Sequence, residues 1–207
     1  MMKKTIDKKT LIFPLPVLMV GSFDEAQVPN LMAAAWGGIC NSEPPAIAIS
    51  VRKERKTYAN IIYNQAFTIN IPSVALAKAS DYCGIISGNK ENKIETCKLS
   101  YEKAELINAP IFNEFPISLV CKLIKTVEIG SHTQFIGEIL EVLAEESVLD
   151  ENNMPDIEKV EPLHYDNSSR YYYKAGEKVL KAYTISKKEM LDKNLIYDNI
   201  TKPVKKY

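Results

Sequence analysis

The chain has 207 residues and a mass of 23.3 kDa, with 46% hydrophobic and 25% charged residues. That is long enough to bury a core without disulfide or metal support and too apolar for a disordered chain. Lysine plus arginine and aspartate plus glutamate both number 26, so the formal net charge is zero, and the long-range field that nucleic-acid binders carry is missing.

The start, MMKKTIDKKT, is charged, and the apolar run behind it is short and broken by Pro14 and Pro16. It makes neither a signal-peptide core nor a membrane span. Four cysteines, Cys40, Cys83, Cys97 and Cys121, show no CxxC pair; free thiols and a cytoplasmic location are expected. Residues 14–23 read as a first strand, and FDEAQVPN as a turn punctuated by Asp24, Pro29 and Asn30. Between Pro29 and Pro44, LMAAAWGGIC reads as a single buried strand. Ile47, Ile49 and Val51 alternate with Ala46, Ala48 and Ser50 in a clearer one. Thr57 is the expected N-cap of a helix over 57–65, and a strand follows over 66–72. Ser73 is expected to cap a second helix over 74–83, followed by a glycine-bent loop to residue 93 and a weakly patterned stretch to Pro110. Ile117, Leu119, Cys121 and Leu123 mark one face of a strand, and Gly130-Ser131 a hairpin turn into a strand over 134–146. Gly137 within it predicts a bulge or a close approach. Past Asp150 the chain turns polar, then aromatic at Tyr171–Tyr173, and its end reads as an exposed arm. A domain over 1–185 and an arm over 186–207 are expected.

Many short strands and few short helices predict a mainly β, antiparallel barrel or sandwich. Neither GxGxxG nor GxxxxGK[ST] occurs, which gives no support to a Rossmann or P-loop nucleotide site. The stretch Ser50-Val51-Arg52-Lys53-Glu54-Arg55-Lys56-Thr57 joins a strand end, a basic loop and a helix start, and holds two of the protein's three arginines. Helix-terminal N–H groups beside guanidiniums suit a phosphate; a solvated basic loop fits the stretch equally. Asn30-Leu31-Met32-Ala33-Ala34-Ala35-Trp36 carries the sole tryptophan beside small residues. A flat ring lies close to such backbone, although tight packing around a core tryptophan is the plainer reading. His132 and His164 lack the local partners of a zinc site, no GxSxG elbow occurs, and nothing near Cys40 in sequence makes it a nucleophile.

Taken in order, PVLMVGS, VPNLMAAAWGGICNSEPP, ISVRKERKTY, FTINIPS, DYCGIISG with Lys93, and GSHTQFIGEIL resemble the flavin reductase-like family, its flavoredoxin branch above all. The resemblance runs from about Pro14 to about Tyr183 and implies an FMN-binding split β-barrel. It implies that Asn30, Met32, Ala33, Ala34, Ala35 and Trp36 line the isoalloxazine. Cys40, Asn41 and Ser42 would lie near the ring and ribityl chain. Ser50, Val51, Arg52 and Thr57 would meet the ribityl and phosphate, with Lys93 a second phosphate-side cation. His132 would stand close to the flavin as the catalytic residue, and Tyr165 near the ring. It further implies a homodimer and NAD(P)H as reductant, with a free flavin or a redox protein as acceptor. A flavoredoxin-type carrier that does not oxidise NAD(P)H, and a non-catalytic ligand-binding barrel, are the alternatives. No metal, nucleic acid or membrane is implied.

Overall fold

The computed structural model describes residues 2–184. One unit ends at Ala175 and a second begins at Gly176; residues 176–184 of the second hold no helix or strand. The arm expected over 186–207 lies outside the described residues.

The first unit runs β1 (Leu15–Pro16), β2 (Leu18–Phe23), β3 (Pro29–Ala34), β4 (Gly37–Ser42), β5 (Pro45–Val51), α1 (Lys56–Asn64) and β6 (Ala66–Ile71). It continues through α2 (Ala77–Ile85), α3 (Lys93–Thr96), β7 (Tyr101–Lys103) and β8 (Pro110–Phe112). The long hairpin β9 (Ile117–Ile129) and β10 (His132–Ala144) follows, then α4 (Ile157–Val160), β11 (Leu163–Asp166) and β12 (Tyr171–Lys174).

Seven strands, in the order β3-β2-β6-β9-β10-β5-β4, form one antiparallel sheet. Leu18 and Val20 of β2, Met32 of β3, Ile49 of β5, Phe67 of β6, Leu119 of β9 and Phe135 of β10 share one buried cluster. Side chains this far apart along a sheet meet only if the sheet curls. The curl does not close. Its edges, β3 and β4, are successive in the chain but not bonded to each other. The architecture is therefore the expected mainly β split barrel with short helices. Helix α1 plugs one end, with Ile61 in the cluster and the Tyr58 ring edge-on to Phe135 at 5.4 Å.

Strand β2 is buried at every position, as a strand covered on both faces must be. Period-two alternation sends Leu18 and Val20 inward and Met19 outward, into a second cluster with Leu31, Cys83, Ile94, Phe112 and Leu163. Helices α2 and α3 cover this outer face of β3. Asn70 anchors the β8 segment beneath it: its amide donates to the Met19 carbonyl at 3.0 Å, and its oxygen accepts from Ser118 Oγ at 2.7 Å and Phe112 N at 3.3 Å.

The hairpin expected at Gly130 is present, with φ +52° at that glycine. Gly137 sits at a register shift, where an added Cβ would lie 2.6 Å from Phe67 Cζ, so both expectations hold at once. Other expectations are corrected. The strand read over 14–23 divides at Val17, because β1 pairs with β11 in a separate three-stranded sheet, β1-β11-β12, while β2 pairs with β3 and β6. The single strand read over 31–40 breaks at Ala35-Trp36, where the chain crosses from one barrel edge to the other. Arg55, not Thr57, is the N-cap residue of α1, because the backbone is extended at Arg55 and already helical from Lys56, which puts Thr57 inside the first turn. Ser73 precedes a single 3-10 turn, and the helix proper starts at Ala77.

Candidate cofactor site

The site is built on the seam between the barrel edges. Ala35 and Trp36 bridge it, and the Trp36 carbonyl accepts from Ser50 N at 2.8 Å, which fixes the crossing to the end of β5. Gly37 permits the close passage: a Cβ there would stand 2.7 Å from the Ala48 carbonyl and 2.8 Å from Leu18 Cδ1. Over this crossing opens a cavity of about 400 Å³. Met32, Ala33, Ala34, Ala35 and Trp36 line one side, and Ser50, Val51 and Arg52 the next. His132, from the start of β10, and Tyr165, from β11, complete the set of expected residues gathered there.

The cavity also holds Arg55, from the basic stretch read as suiting a phosphate, and three residues that the sequence reading missed: Thr10, Asn167 and Arg170. All three arginines of the protein therefore face one hollow. Among the described residues no aspartate or glutamate lines it. Arg52 meets Glu54 at 3.7 Å on the exposed surface, a weak pairing, while Arg55 and Arg170 form no ion pair among the described residues. A neutral protein has thus concentrated its guanidinium charge in one place.

A smaller hollow of about 250 Å³ adjoins along the same elements. Asn30 and Leu31 line it where Met32–Ala34 of the same strand line the larger one, and Lys56 lines it beside Arg55. Lys93 opens onto this second hollow and not the first. It is only 3% exposed and donates from Nζ to the Cys83 carbonyl at 2.8 Å. Burial holds its amine below the usual lysine value, the Cys83 thiol opposes that, and the Arg55 guanidinium adds to it. Lys56, by contrast, is neutralised by Asp24 at 2.8 Å.

Thr57 lines neither hollow. It is 1% exposed and its Oγ1 accepts from Asn30 Nδ2 at 2.9 Å. Cys40, Asn41 and Ser42 are likewise not brought to the cavity. They stand exposed along edge strand β4, with Cys40 as the extra residue of a bulge between Ile39 and Asn41. Asn41 closes the turn into β5 through Nδ2 and the Pro44 carbonyl at 2.8 Å.

His132 Nδ1 shares a hydrogen bond with Ser131 Oγ at 2.8 Å, which orients the ring and leaves Nε2 for another partner. The Tyr165 ring packs on Tyr172 with centroids 5.5 Å apart. Tyr172 OH donates to Asp81 Oδ1 at 2.9 Å, and burial and that carboxylate push the phenol pKa up. This stack joins the three-stranded sheet to α2 beside the cavity.

The chain is similar to known proteins over most of its length. The family model described as flavin reductase like domain matches residues 10–174. A flavoredoxin of Desulfovibrio vulgaris is 46% identical, superimposes with a TM-score of 0.85 and is matched over 88% of this chain and 98% of that one. A flavoredoxin from Methanosarcina acetivorans is 31% identical, also with a TM-score of 0.85, over 91% of this chain and 99% of that one. A split barrel domain protein of Shewanella frigidimarina, 19% identical with a TM-score of 0.74 over 82% of this chain and 86% of that one, shares the fold alone. With the matched region spanning every strand and every wall of the cavity, this chain belongs to the flavin reductase like domain family.

Proposed function

We propose that the protein is an FMN-binding redox protein that takes electrons from NAD(P)H and passes them to a free flavin or another acceptor. One observation carries the reading: a single hollow joins the Met32–Trp36 wall to three arginines, with no carboxylate lining it among the described residues. The donor set fits the group. Small side chains beside Trp36 accept a flat ring, and the Arg52 and Arg55 guanidiniums suit a phosphate that carries about two negative charges. When bound, FMN supplies the two-electron chemistry that no side chain here provides.

The chain's own residues do the rest. Arg52 and Arg55, at the start of α1, grip the phosphate by charge-assisted hydrogen bonds, and Lys93 strengthens the field from the adjoining hollow. Ala33, Ala34 and Ala35 let the ring lie against the backbone, and Trp36 flanks it. Ser50 meets the ribityl chain, and Tyr165 covers the ring from the second sheet. His132 would be the catalytic residue: with Nδ1 held by Ser131, Nε2 would be free to hydrogen-bond the cofactor or to seat the nicotinamide. Thr57 acts through Asn30, as a positioning residue.

Two copies would complete the assembly. Cys40, Asn41 and Ser42 lie on the open edge of the sheet together with Ile39, which is 68% exposed; in a homodimer this strand lies against the partner and its cofactor. Four free thiols, Cys40 exposed among them, suit a reducing cytoplasm. Among the described residues no helix is long and apolar enough to cross a membrane.

The test is anaerobic mixing of FMN-loaded protein with NADH and with NADPH. Bleaching of the flavin band by either supports the reductase reading. The 46% identity to a flavoredoxin favours a second reading, a carrier reduced by another protein; its flavin would stay oxidised in both mixtures.

A further inference from the structure

We propose that Arg170 and Asn167, on the turn between β11 and β12, bind an oxyanion carried by the second ligand of the cavity, the electron donor or the acceptor, and not the flavin phosphate. This rests on the flavin reading above. Charge is the first argument. Arg52 and Arg55 belong to the β5–α1 connection of the seven-stranded sheet, with Lys93 beside them. Those cations already match or exceed one phosphate dianion. Arg170 comes from the other, three-stranded sheet, so its charge is surplus to the flavin and is left for another anion.

The turn is built so that this charge stays available. The carboxylate nearest in sequence, Asp166, is taken up by the turn itself: Oδ1 accepts from Ser168 N at 2.7 Å and Oδ2 from Ser169 Oγ at 2.6 Å. The backbone N–H of Arg170 donates to the Asp166 carbonyl at 2.8 Å, which fixes where the side chain leaves the turn. Asn167 adds a second group. Its Nδ2 donates to the Thr10 carbonyl, so the amide is oriented, yet its Oδ1 is buried and has no hydrogen-bond partner. A buried acceptor without a donor is costly, and Asn167 lines the cavity. A guanidinium donor and an unsatisfied acceptor on residues that line one cavity match an oxyanion that has a hydroxyl or amide N–H nearby. Nucleotide phosphates next to a ribose have this form, and an organic carboxylate without a polar neighbour engages the guanidinium alone.

The experiment compares FMN-saturated wild type, Arg170→Gln and Lys174→Gln, the last removing an equal charge from the same hairpin outside the cavity. Calorimetric titration uses two probes, ADP for a phosphate-bearing donor and benzoate for a carboxylate acceptor, and FMN affinity is measured separately on apoprotein. In Arg170→Gln one probe should lose about tenfold in affinity while FMN affinity stays within about twofold. Loss for ADP assigns the site to the donor, and loss for benzoate to the acceptor. Lys174→Gln should leave both unmoved, and Arg170→Lys should recover part of the loss. The proposal is overturned if Arg170→Gln weakens FMN and spares the probes, if it changes nothing, if Lys174→Gln matches it, or if the wild type binds neither probe. Wild-type protein that takes up no FMN overturns the flavin reading as well, an outcome distinct from all of these.

Discussion

The side-chain amide of Asn30 donates to the Thr57 hydroxyl at 2.9 Å, and both residues are almost fully buried. The bond ties β3 to the first turn of α1, the two elements along which the hollows adjoin. In Thr57→Val the amide of Asn30 loses its acceptor, and stability should drop by about 1–3 kcal/mol. Urea unfolding is expected to show a lower midpoint with an unchanged slope, and Thr57→Ser should behave like wild type.

Lys93 presents a different case, a buried cation at the second hollow. Burial, with Arg55 nearby, lowers its pKa from 10.5. A lysine whose folded pKa lies below its unfolded value costs stability in full below the folded pKa, and the cost fades as pH rises toward 10.5. Because Lys93→Met also removes the donor to the Cys83 carbonyl, the expectation is the trend: the stability of the variant relative to wild type should fall as pH rises from about 7 toward about 10. Affinity for FMN should fall by about tenfold. Unfolding curves at several pH values, with a parallel flavin titration, check both halves.

His132 should separate turnover from binding. His132→Ala removes a group that the cavity presents but that no packing cluster uses. FMN affinity should change less than threefold, while NAD(P)H-driven turnover falls by at least about tenfold. Full turnover with the cofactor retained would strip His132 of its catalytic role and leave the fold and the cofactor site untouched.

Within the scaffold, Asn70 is the side chain whose loss should cost most per atom removed. In Asn70→Leu, the Met19 carbonyl, Phe112 N–H and Ser118 hydroxyl all lose a buried partner. A destabilisation above about 2 kcal/mol is expected, with weakened protection of the β8 amides in hydrogen exchange.

Much of this was legible in the chain itself. Ile47, Ile49 and Val51, like Leu119, Cys121 and Leu123, announce their strands because one face of each points into the barrel. Gly130 and Gly137 mark a turn and a tight passage for reasons any backbone obeys. The break at Trp36 left no such trace, since small apolar residues read the same along a strand and across a seam. Arg52 stood out because a helix start followed it. Arg170 did not: its turn joins two strands of four residues each, and only tertiary folding carries it to Arg52 and Arg55. Asn167 and Thr10 were silent for the same reason. The burial of Lys93 depends on α2 and α3 packing over β3, which no local pattern reports.

In the proposed function, cations around Arg52 and Arg55 hold the phosphate of a flavin whose ring lies by Trp36. Its most direct test is a paired titration of the apoprotein with FMN and with riboflavin, followed by flavin fluorescence. The account predicts saturation near one FMN per chain, with riboflavin at least about tenfold weaker and that difference lost in the Arg52→Ala, Arg55→Ala double variant. Equal affinity for the two flavins, or no uptake of either, would contradict it.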